Sequence, residues 1–93
     1  MISLEDCIGL CDLTPEEVAA IAEHEHVPEI VAASLGSYLL HSDHGPEKIR
    51  DMIIDDIRIA VRHHDVAHAR QLVGVLRHFF VEHPGLSLKP TAL

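Results

Sequence analysis

Basic residues are scarce. Seven Lys and Arg stand against 15 Asp and Glu, a formal net charge of −8 over 93 residues. A surface of that sign repels phosphate backbones and anionic lipid headgroups, so neither nucleic acid nor a membrane is an expected partner. Cysteine is scarce as well. Cys7 and Cys11 are the only two, four positions apart in a stretch that reads as helix, a geometry that suits a disulfide poorly. With no basic, apolar leader in "MISLEDCIGL", the expected location is the reducing cytoplasm. The longest uncharged stretch, Ile30 to Ser42, is shorter than the ~20 residues that span a bilayer. Nucleophile motifs, a glycine-rich phosphate loop and a clustered basic patch are also missing, so no enzymatic activity is expected.

What is present is a folding composition, 47% hydrophobic and 24% charged. The length allows one domain, read as residues 1–84, followed by a loose tail at 85–93, "GLSLKPTAL", which has no periodic pattern. The fold class is all-α, with about five helices, no strand and no internal repeat. Ser3 starts the first helix, with Leu4, Cys7, Ile8 and Cys11 on one face. The second opens on "LTPEEV", with Thr14 at the N-cap, Pro15 at the first helical position and Glu17 at the third. Leu13 and Val18 are spaced as a hydrophobic staple. Pro28 ends that helix and begins a third, which runs to about His41. Gly45 and Pro46 mark the next break, the fourth helix runs from about Pro46 to His63, and Asp65 caps the fifth, which ends near Pro84.

The third helix is apolar or small nearly all round, which predicts burial on several sides, with Ala32 and Gly36 as a ridge for close helix approach. The last three helices are the expected main body. The fourth and fifth carry apolar stripes wider than the ~100° that one core-facing surface needs. Ile54, Ile59, Val61 and Val75 widen them, and a two-fold homodimer is expected to cover the surplus. The expected function is therefore a non-catalytic, self-associating interaction or regulatory module without a cofactor.

An alternative rests on "AEHEHVPEI", residues Ala22 to Ile30. Glu23 and His26 have the E-x-x-H spacing of di-iron carboxylate bundles, and a dimer would supply the second copy. Glu23, Glu25, His26 and Asp56 would then be ligands to Fe or Zn. Against this, Pro28 puts His26 at the helix end, where histidine is favourable without metal. Cys7, Cys11, His24 and His26 come near a zinc-finger spacing but leave one residue where three to five belong between the histidines. A helix-turn-helix reading of the second and third helices fails because Pro28 through Leu40 holds no Lys or Arg.

Two carboxylates fall on apolar faces. Asp56 lies inside the apolar arc of the fourth helix, and Glu25 lies in line with Val18, Ile21 and Ala22. A carboxylate taken from water must be paired, hydrogen-bonded or protonated. An arginine is the expected partner of Asp56, with Arg50, Arg70 and Arg77 as candidates. Nine histidines cluster near the expected turns, where capping or solvation is the default. His78 and Glu82 are spaced as an ordinary surface pair. Through "LEDCIGLCDLTPEEV", "AEHEHVPEI" and "GPEKIRDMI" the chain resembles short all-helical bacterial proteins with no assigned activity, and that resemblance implies no site.

Overall fold

A computed structural model describes residues 12–86. Four helices make up this part: α1 (Pro15–Glu25), α2 (Glu29–Leu40), α3 (Gly45–Arg62) and α4 (Val66–Glu82). The expected count was about five; the remaining one, with Leu4, Cys7, Ile8 and Cys11, lies outside the described residues, as does the tail beyond Leu86.

The helix ends follow from local chemistry. The Thr14 hydroxyl accepts the Glu17 N–H at 3.1 Å, and Glu17 Oε1 accepts the Thr14 N–H at 2.9 Å, a complete capping box. Asp65 caps α4 by accepting the His68 N–H at 3.2 Å. The histidines serve the turns: His26, His44 and His64 take left-handed backbone conformations, with φ of 56°, 58° and 59°. Histidine tolerates that region better than most side chains. At the ends of α2 and α4, His41 and His83 each donate from Nδ1 to the carbonyl four residues back, at 2.8 and 2.9 Å. Gly45 is required by space, because a Cβ there would overlap the Leu39 carbonyl.

α1 and α3 each touch all of the other described helices. The last three helices, expected as the main body, share the core with α1. Val18 and Ile21 of α1 are fully buried among Ile49 and Ile53 of α3 and Leu72 and Phe79 of α4. Gly36 shows why α2 approaches so closely: a Cβ there would collide with the Leu13 side chain and lie 3.0 Å from Ile21 Cδ1. α2 is not buried on several sides. Ala32, Ala33, Gly36 and Leu39 face inward, while Ile30, Val31 and Tyr38 are exposed; among the described residues α2 packs chiefly on α1 and α3. On α4 the buried arc includes Val75, 8% exposed, because α1 lies over that side. Val75 is core and offers nothing to a partner.

Candidate functional site

Three helices bring their polar residues together at the C-terminal end of α1. His68, in the first turn of α4, donates from Nε2 to both oxygens of Glu23, at 2.7 and 2.9 Å. His24 lies 2.9 Å from Glu25 through Nδ1 and 3.6 Å from Asp55 of α3 through Nε2. Asp56 stands behind them, 4% exposed, and its Oδ2 has no hydrogen-bond partner among the described residues.

The electrostatics follow from that arrangement. Burial raises the Asp56 carboxyl above its ordinary range, His24 pulls it back, and the Glu23 and Asp55 charges push it up again. His68 is raised chiefly by its hydrogen bond to Glu23. For His24, burial opposes protonation, but Glu25, Asp56 and Asp55 together outweigh it and raise the ring. The result is a set of histidine–carboxylate contacts across three helices, strongest when the rings are protonated.

Several expectations need correction. No arginine lies within ion-pair distance of Asp56 among the described residues. Arg50 is buried and binds Asp51 through Nε and Nη2, both at 2.9 Å, while Arg70 and Arg77 are exposed. Glu25 is exposed at the helix end, not buried. The proposed ligands Glu23, Glu25, His26 and Asp56 do not converge on one point: Glu23 turns to His68, Glu25 to His24, and His26 leaves the helix in a left-handed cap. Of the zinc-finger set, Cys7 and Cys11 lie outside the described residues. Sequence reasoning missed His68, because nothing in a single chain pairs the start of one helix with the end of another.

A second feature lies between α3 and α4. An apolar groove of about 510 Å³ runs between Ile57 and Val61 on one side and Val66, Val73 and Gly74 on the other, flanked by Arg70 and Arg77. Val61 and Val66 are 60% and 58% exposed. Of the other surface candidates, Ile59 is exposed but does not line the groove, and Ile54 is half-buried against the core. No helix among the described residues is long and apolar enough to cross a membrane. No family model, curated protein or solved structure matches the chain.

Proposed function

We propose that this protein is a non-catalytic helical interaction module of the cytoplasm whose α3–α4 groove binds a second copy of the chain. The observation that carries the reading is Gly74. It sits in the middle of α4, where glycine costs about 1 kcal/mol relative to alanine. The monomer has no use for it, since a Cβ there would meet nothing within 4 Å. It lines the apolar groove, where a missing side chain lets another helix cross closely. Arg70 and Arg77 flank that crossing point and have no ion-pair partner among the described residues. A second copy carrying a net charge of −8 supplies carboxylates for them. The cytoplasmic assignment is supported by the four-residue spacing of Cys7 and Cys11.

Sedimentation at micromolar concentration tests the reading. The expected mass is twice the 10.3 kDa of one chain. Gly74→Leu fills the crossing point without touching the monomer's core, and Val61→Glu places a charge in the groove. Each should give the monomer mass with unchanged helical circular dichroism. A monomeric wild type at every concentration, or a Gly74→Leu variant that remains a dimer, refutes the proposal.

A further inference from the structure

We propose that Glu17, His78 and Glu82 form a binding site for a divalent first-row transition cation of the zinc type. The site joins the first turn of α1 to the last turns of α4, away from both the "EHEH" contacts and the α3–α4 groove.

The first observation is the state of Glu17. Its side chain is fully buried, and Oε1 is committed to the capping box. Oε2 is buried with no hydrogen-bond partner among the described residues. Leaving such an atom unsatisfied costs ~1–3 kcal/mol, a cost that a bound cation relieves. The second observation is what stands beside Glu17. One ligand atom from each of Glu17, His78 and Glu82 lies within 4.8 Å of the other two. His78 Nε2 and Glu82 Oε1, one helical turn apart, are 3.4 Å from each other. Zinc–ligand bonds of ~2.0–2.1 Å place tetrahedral ligands roughly 3.3 Å apart, so this pair already stands at a coordination edge. The side chains of His78 and Glu82 are 54% and 36% exposed, free to close on Glu17 by rotation.

The donor set selects the ion. Two carboxylates balance a dipositive charge, and an imidazole favours zinc and its transition-metal neighbours over magnesium or calcium. Three protein ligands leave a fourth position for water, on the exposed side of His78 and Glu82. A cleft of about 340 Å³ bordered by Thr14, Gln71, Gly74 and His78 opens beside the His78 ligand. Without a cation, burial and the neighbouring Glu82 carboxylate push the Glu17 carboxyl to about 7, so a proton takes the cation's place near neutrality. Metal binding displaces that proton and is therefore favoured by rising pH.

The test is calorimetric titration of zinc into the full chain at about pH 7.5, repeated with cobalt to read the visible absorption of a tetrahedral site. The variants are Glu17→Gln, which keeps the oxygen that accepts the Thr14 N–H, His78→Asn and Glu82→Gln; the last two sit on the surface and spare the core. The expected result is one zinc per chain, with affinity falling about tenfold or more in each variant. His26→Asn and His68→Asn, which alter histidines elsewhere, should bind as the wild type does. Magnesium in excess should not compete. Absence of binding below millimolar zinc overturns the site. Undiminished binding in Glu17→Gln, or equal loss in the His26 and His68 controls, also overturns it, since zinc then resides on other surface histidines.

Discussion

Replacing Asp56 by asparagine should stabilise the protein at pH 8 and do almost nothing at pH 3. A buried aspartate held by an arginine would give the opposite result, because breaking such a pair costs ~3–5 kcal/mol. Asp56 has no arginine among the described residues, and its Oδ2 has no hydrogen-bond partner. Burial raises its folded carboxyl above the unfolded value, and Glu23 and Asp55 add to the rise that His24 and His68 resist. The sign follows from proton linkage. The folded state holds this proton more tightly, so stability falls as pH rises from the ordinary carboxylate range through the raised folded value. Above that value the penalty is complete, and it is largest once the two histidines have lost their charges. A buried group without a partner costs ~1–3 kcal/mol, and asparagine retains the polar part of that cost. The expected gain is therefore about 1 kcal/mol at pH 8, shrinking to nearly zero at about pH 3, below the ordinary carboxylate value. Urea-denaturation midpoints at the two pH values, with unchanged slope, measure it. Asp55→Asn, on the exposed strip, should change stability by less than ~0.5 kcal/mol at either pH. A loss of 1 kcal/mol or more in Asp56→Asn at pH 8, or a difference that ignores pH, would refute the account (values of the size expected for any buried polar contact).

The whole protein should be more stable near pH 6 than near pH 8. His24 and His68 are raised in the fold, so their contribution is complete below the unfolded histidine value and is lost as pH climbs through the folded one. Glu17, raised to about 7, acts in the same direction, since its charged form is the one the fold disfavours. His68→Gln should flatten the pH dependence of the urea midpoint, and an unchanged slope would remove the Glu23–His68 contact from the explanation. Gly45→Ala should cost about 2–3 kcal/mol in the same assay, because the added Cβ overlaps the Leu39 backbone carbonyl and cannot be relieved by a side-chain rotation. A loss below ~0.5 kcal/mol there would show that the α2–α3 turn relaxes freely.

The helix limits were legible because each is written in a few adjacent residues. Thr14, Pro15 and Glu17 announce α1, Pro28 separates it from α2, and Asp65 opens α4. The inward position of Asp56 was legible for a related reason: 3.6-residue periodicity assigns a face to every position along a long helix. Which neighbour covers a face is a different kind of information. Val75 reads as the edge of a stripe, yet it is core because α1 lies over it. Ile30, Val31 and Tyr38 read as buried from composition, yet they are exposed, since among the described residues α2 packs chiefly on α1 and α3. Asp56 was assigned an arginine on charge alone, whereas the helices bring His24 and His68 to it. Periodicity fixes a direction from each helix axis, and tertiary packing decides what lies in that direction.

Glu17 carries the same lesson to the level of single atoms. As the third residue of a capping box it has a complete local explanation, and that explanation accounts for one oxygen. A carboxylate has two, with about four lone pairs between them. Glu17 also stands four residues before Ile21 and one before Val18, both fully buried, so the face that holds it points inward. At an exposed N-terminus the second oxygen would meet water. Here Glu17 is buried, and the ligating residues grouped with it are His78 and Glu82, spaced like a surface pair and explained on α4 alone. Each half of the cluster is satisfied by a short-range rule, and neither rule mentions the other helix. The one feature that survives both explanations is the buried oxygen with no partner. Complete accounting of buried polar atoms, one oxygen at a time, is therefore what separates a cap that happens to be buried from a position built to hold a proton or a metal.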